Sequence, residues 1–180
     1  RATGEGLIGA ALSEGGKAGA IVELACETDF VAKTDEFLAA VASFSKQAAE
    51  GKLPKPEDAD EPVKALIAKL GENMKLARLT RFELKGPGLV SFYIHSAGGK
   101  KGALIELKAE NDAAGKSEAA KELAKEFGMQ IVAFQPRWLT KEEVPAAAGR
   151  PGAVAAVLGA GAAKPTASIT GNPAVPVVVS

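Results

Sequence analysis

The chain is expected to be an α+β protein, built from two related units that each pair a β-hairpin in an antiparallel sheet with a following helix. Three observations predict this. Residues 17–29 and 100–112 align without a gap and agree at seven of thirteen positions, where chance would give about one. In both copies an apolar run of strand length is followed by apolar residues at helical spacing. From Ala146 onward the composition collapses to alanine, glycine, proline and valine, with Arg150 and Lys164 the only charges among thirty-five residues. Such a segment has little to bury and is expected to be a disordered tail. The expected organisation is a first subdomain over 1–87, a second over 88–149 and a low-complexity tail over 150–180.

The first hairpin joins Gly6–Leu12 to Gly19–Cys26 across the turn signal Ser13-Glu14-Gly15-Gly16. Thr34 can cap the next helix, whose Phe37, Leu38, Val41, Phe44 and Ala48 recur every three or four residues. Prolines 54 and 56 end it. Asp60-Glu61-Pro62 opens a second helix with Val63, Leu66, Ile67, Leu70 and Met74 at helical spacing, and Gly71 interrupts or ends it. A strand over Leu76–Leu84 in contact with the hairpin follows, closed by Lys85-Gly86-Pro87-Gly88. In the second copy Gly88-Leu89-Val90 answers Gly6-Leu7-Ile8. A helix from Ser117 to Phe127 points Ala120, Leu123 and Phe127 inward, with Gly128 as its terminator. Gln130–Phe134 suits a strand or more helix, and Thr140 with Glu143 suits a capping box.

Composition narrows the function. Lysine plus arginine equals aspartate plus glutamate at 22 each, so no net positive field attracts nucleic acid. A single cysteine and a single histidine argue against a disulfide framework and against a zinc site on protein ligands. No apolar run reaches the length of a membrane span and no signal pattern opens the chain. Beginning at Arg1, the chain reads as an excerpt of a longer product.

Site chemistry offers few candidates. Gly115-Lys116-Ser117 resembles the end of a phosphate-binding loop, but Glu110 stands where its first glycine belongs, so Ser117 is read as a helix cap. Cys26 and His95 could be written as nucleophile and base, yet no third partner or oxyanion-hole motif accompanies them. Glu23, Glu27, Glu106 and Glu110 alternate along two strands, as one solvated face or as partners of Lys17 and Lys100. The stretch Cys26-Glu27-Thr28-Asp29-Phe30-Val31-Ala32-Lys33 puts an aromatic where a buried strand hands over to a helix. Phe30 there is either a core plug or an outward probe, and the second copy has Ala113 at the matching position, which argues against a requirement of the unit's own core.

At that stretch the chain resembles the translation elongation factor Ts family, guanine-nucleotide exchange factors for elongation factor Tu. Lys69-Leu70-Gly71-Glu72-Asn73-Met74 and Tyr93-Ile94-His95 agree with two further motifs of the family, in family order. The resemblance runs from about Gly4 to about Pro145. It implies a core of two related α+β subdomains, no bond chemistry, no cofactor and no metal. It also implies a partner-binding surface made of Thr28, Asp29, Phe30, Val31, Leu70, Gly71 and His95. Asp29 and Phe30 would enter the partner's GTPase domain beside its magnesium and phosphate site, Leu70 and Gly71 would support that contact, and His95 would meet the partner elsewhere. Direct nucleic-acid or membrane binding is not implied, whereas association with the translating ribosome is compatible with it. No counterpart of the family's amino-terminal helical module is read in these residues, as expected if they begin downstream of it, and the Ala/Gly/Pro stretch stands where the resemblance implies helices and a closing strand after Pro145. A binding or scaffold module without exchange activity is the alternative. The Leu-Gly-Glu-Asn-Met wording is closer to mitochondrial members, which favours an organelle, with the bacterial cytoplasm as the alternative.

Overall fold

A computed structural model of the chain describes residues 2–95 and 99–134 and the backbone of 165–170. Strands β1 (Glu5–Leu12), β2 (Ala18–Cys26) and β3 (Met74–Glu83) form one antiparallel sheet with β2 in the centre. Strands β4 (Gly88–Ile94), β5 (Gly102–Lys108) and β6 (Pro165–Thr170) form a second antiparallel sheet with β5 in the centre. The helices are α1 (Asp29–Ala32), α2 (Asp35–Ala49), α3 (Asp60–Leu70), α4 (Asp112–Gly115) and α5 (Glu118–Phe134), with a short 3-10 turn at Pro56–Ala59. The protein is α+β, as its repeat predicts.

The continuous apolar run of β2 is explained by burial on both faces. Ala20, Val22, Leu24 and Cys26 face α2, where Phe37, Val41, Phe44 and Ala48 complete the largest core. Ile21, on the opposite face, joins Ile8, Val90 and Leu104 in a small core between the sheets. On β5 the same alternation sends Ala103, Ile105 and Leu107 to Ala124, Ile131 and Val132 of α5. The layers therefore run helix, sheet, sheet, helix, and each central strand supplies both an inner and an outer core.

The two copies agree down to register. Gly6 faces Ala25 and Leu7 faces Leu24 in the first hairpin, while Gly88 faces Lys108 and Leu89 faces Leu107 in the second. A Cβ on Gly6 would lie 2.3 Å from the Leu24 carbonyl oxygen, and one on Gly88 2.2 Å from that of Leu107. Only glycine fits either site, which is why the repeat keeps it. Helix caps agree as well: the Thr34 hydroxyl accepts from the Phe37 amide at 3.3 Å and that of Ser117 from the Ala120 amide at 3.1 Å.

Several local expectations are corrected. Gly128 does not stop the second unit's helix, because α5 continues to Phe134 and buries Gly128 against Tyr93, where a Cβ would come within 2.6 Å of the tyrosine Cβ. The buried stripe is consequently Ala124, Gly128 and Ile131, and Leu123 is exposed. Leu38 likewise points outward from α2. Met74 belongs to β3, since Gly71 caps α3 with φ of 76°, a left-handed conformation that glycine adopts without strain. Glu23 is half-buried and pairs with Arg78, and Lys100 pairs with Glu5, so these charges link strands and do not form one solvated face. Within the stretch expected to be a disordered tail, Pro165–Thr170 pairs with β5. The physical reason is the open edge of β5, whose unpaired amides and carbonyls accept a strand by backbone bonds without needing large side chains. The capping box at Thr140 and Glu143, and the rest of the tail, lie outside the described residues.

Candidate functional site

The stretch singled out by its aromatic lies at the carboxyl end of β2. Cys26 closes the strand, Thr28 caps α1, and α1 is a single turn. A helix of four residues has no stability of its own, so its orientation comes from its anchors. The Thr28 hydroxyl accepts from the Val31 amide at 3.3 Å. Ala32 is buried, Val31 packs on the main core, and the Val31 carbonyl accepts from both the amide and the hydroxyl of Thr34 at 3.0 and 2.8 Å. Phe30 is the residue this turn leaves outside. It is 79% exposed, the most exposed large apolar side chain among the described residues, and the core-plug reading is excluded.

The α3–β3 turn is fastened to the same place. Glu72 accepts from the Thr28 hydroxyl at 2.6 Å through one oxygen and from the Thr28 amide at 3.1 Å through the other. In the reverse direction, one oxygen of Glu27 accepts from the Asn73 amide at 3.1 Å and from its side-chain nitrogen at 2.8 Å. Lys69 pairs with Glu36 of α2 at 3.2 Å. Leu70 packs on the main core, while Gly71 is exposed, with open space where a Cβ would lie. The structure thus brings together Thr28, Asp29, Phe30 and Val31 with Leu70 and Gly71. A bulge at Ala77, between the Glu23–Arg78 and Leu24–Leu76 pairs, bends the start of β3 beneath them.

His95 sits on the other sheet, exposed just beyond β4, with its amide on the Lys101 carbonyl at 2.9 Å and its Nδ1 3.3 Å from the Tyr93 hydroxyl. The β4–β5 connection nevertheless reaches the same end of the molecule. Lys100 pairs with Glu5, whose strand partner is Cys26, and the Ile8 amide donates to the Gly99 carbonyl at 2.7 Å. Among the described residues His95 makes no part of the hydrogen-bond network of the Phe30 turn.

Charge at the tip is modest. A hydrogen bond from Lys33 at 2.7 Å holds the Asp29 carboxyl below its ordinary range, and Lys100 contributes more weakly in the same sense. Asp29 is accordingly an anion at neutral pH. Burial, aided by the Glu72 carboxylate, pushes the Cys26 thiol up, and its sulfur donates to the Thr28 carbonyl at 3.1 Å. A buried, neutral thiol engaged in this way is no nucleophile. In Gly115-Lys116-Ser117, a Cβ on Gly115 would sit 2.7 Å from the Gly88 carbonyl oxygen, which explains that glycine by packing. Among the described residues no group of three or more His, Cys, Asp or Glu is placed to hold a metal ion, and no helix is long and apolar enough to cross a membrane.

The sequence pointed to the tip but not to its fastening. Glu27 and Glu72 lie within the two motifs, yet their partners are 46 and 44 residues away. The available signal was weak: a carboxylate following a helix-ending glycine, and another at a strand end, each next to a residue with a donor side chain.

Comparison with known proteins follows the same residues. Residues 27–150 match the family model described as Elongation factor TS. The chain is 41% identical over 155 residues to the elongation factor Ts of Clostridium botulinum (strain Alaska E43 / Type E3), covering 80% of this chain and 49% of that protein. It is 37% identical over 159 residues to that of Nostoc sp. (strain PCC 7120), covering 81% and 50%, and 39% identical over 157 residues to that of Bordetella petrii, covering 82% and 49%. The chain thus spans about half the length of these relatives. All three organisms are bacteria, which gives the expected mitochondrial setting no support.

Proposed function

The chain belongs to the elongation factor Ts family, and from that premise we propose that it binds elongation factor Tu and promotes replacement of GDP by GTP. The observation that carries this reading is Phe30, held 79% exposed on a turn whose every neighbour is fastened down. A large apolar side chain presented this way has a partner's cavity as its natural destination. Asp29 and Phe30 would enter the GTPase domain beside the magnesium and phosphates, with Thr28, Val31, Leu70 and Gly71 forming the shoulder of the contact and His95 a second point of attachment. No covalent step is involved.

Exchange of this kind is reciprocal coupling. A factor that binds the nucleotide-free partner best must weaken nucleotide binding by the same factor, and incoming GTP displaces it. Weakening a ligand by about 10⁴ takes about 5.5 kcal/mol of differential binding, whereas burying one phenylalanine contributes about 1.5–3 kcal/mol. Phe30 therefore acts with the rest of the surface and not alone. We take the setting to be a bacterial cytoplasm, near the translating ribosome, and the two units of the repeat to be 1–87 and 88–149.

Release of a fluorescent GDP from elongation factor Tu, followed with increasing amounts of the chain, tests the proposal. Faster release that saturates is expected. The alternative reading is binding without exchange. Co-purification of the two proteins with GDP release unchanged would establish that reading in place of the first.

A further inference from the structure

We propose that Glu72, with Glu27, is a positioning residue of the exchange surface: the two carboxylates clasp the β2–α1 turn to the α3–β3 turn so that Asp29-Phe30 and Leu70-Gly71 meet a partner as one preformed surface. The inference rests on the proposed exchange function and adds to it the residues that hold the tip in place.

Reciprocity and an internal control support it. Glu72 reaches from the second turn to the amide and hydroxyl of Thr28, and Glu27 reaches from the first turn to the amide and side chain of Asn73. Each turn thus contributes one acceptor and receives one. In the second unit Asn111 caps α4 by accepting from the Ala114 amide at 2.9 Å, and the turn forms with the same four-residue helix. Among the described residues, the Asn111 side chain makes no long-range bond of the kind Thr28 makes to Glu72. Among the described residues the clasp occurs in the unit that presents Phe30, and the other unit has Ala113 at the matching position.

The expected effect follows from population arithmetic. If the clasp only raises the fraction of chains whose tip is in the binding geometry, losing it raises the apparent dissociation constant by the inverse of that fraction and leaves the fully bound complex unchanged. Glu72→Gln keeps the size of the side chain but replaces one of the two oxygens that accept from Thr28 with a donating NH2 group. It should fold, and the Thr28 amide should exchange with deuterium at least about ten times faster, since its acceptor is weakened. In GDP release from elongation factor Tu, the chain concentration for half-maximal stimulation should rise about three- to tenfold at an unchanged plateau. In a Phe30→Ala background Glu72→Gln should then cost clearly less than in the parent, because the main side chain that the clasp places is gone.

A Glu72→Gln chain with faster Thr28 exchange but an unshifted half-maximal concentration would overturn the positioning role while leaving the exchange function standing. So would a full second loss in the Phe30→Ala background. A parent chain that fails to stimulate release at any concentration would overturn the exchange function itself, and the flat parent curve tells the two failures apart.

Discussion

Two phenylalanines seven residues apart are predicted to respond oppositely to truncation. Phe37 is fully buried between α2 and β2, so Phe37→Ala should destabilise the fold by about 3–5 kcal/mol. Phe30 is 79% exposed, so Phe30→Ala should leave stability within about 0.5 kcal/mol while removing most of the stimulation of GDP release. Thermal melts of both variants beside a release assay of the second check this, and an early-melting Phe30→Ala would count against the wedge. Cys26 supplies a pH test. Burial raises its folded pKa above the ordinary 9.0, so the folded state holds the thiol proton more tightly than the unfolded state does. Its contribution to stability is complete below the ordinary value and is lost as pH rises through the raised one. As pH rises from the ordinary value through the raised one, the parent should therefore lose stability more steeply than Cys26→Ala, as chemical denaturation at stepped pH would show. Iodoacetamide should label Cys26 only after unfolding. At this scale the exposure of Phe30 was legible, because Ala113 in the second copy removes any structural need for it. The Glu72–Thr28 bond was not, because no local pattern marks a hydrogen bond that spans 44 residues.

Between elements, what decides is how closely a helix approaches its sheet. Ser45 of α2 and Gly128 of α5 occupy matching places in the repeat, 83 residues apart like Lys17 and Lys100. A Cβ added to Gly9 of β1 would lie 2.5 Å from the Ser45 hydroxyl, and one added to Gly128 would lie 2.6 Å from the Tyr93 Cβ. Both contacts need a missing Cβ, on the strand in one unit and on the helix in the other. Gly128→Ala, which in an exposed helix would stabilise by about 1 kcal/mol, should here destabilise by about 1–3 kcal/mol, because the obstacle is the base of a side chain and not its flexible end. A thermal melt decides the sign, and a rise in melting temperature would show that α5 can lift away from β4 at no cost. This is also why the end of α5 was misread. A glycine followed by polar and apolar residues looks like a stop when only the helix is considered, and the sheet beneath it gives it another purpose. The caps at Thr34 and Ser117, the turn at Gly71 and the strand character of β2 were legible because each is dictated by its own few residues.

Across the whole molecule, the second sheet is completed by a strand that composition argued against. Pro165–Thr170 runs antiparallel to β5, with Leu107 opposite Pro165 and Gly102 opposite Thr170. The apolar area that the tail's own residues could bury is too small to offset the entropy of ordering them. The template makes the difference: β5 is paired on one side by β4, its faces are filled by the α5 and inter-sheet cores, and its other edge offers a row of fixed donors and acceptors. An incoming strand then needs backbone bonds more than side chains. Residues 171–180 lie outside the described residues, so the prediction concerns the strand. Removing 165–180 should strip β5 of β6, expose its edge and lower the melting temperature by several degrees, since about 1 kcal/mol shifts a chain of this size by roughly 2–4 °C. The truncated chain should also associate at high concentration, visible by light scattering, because an unpaired central strand is a template for another copy. If the deletion melts and scatters like the parent, β6 contributes nothing to the sheet and the compositional argument is restored.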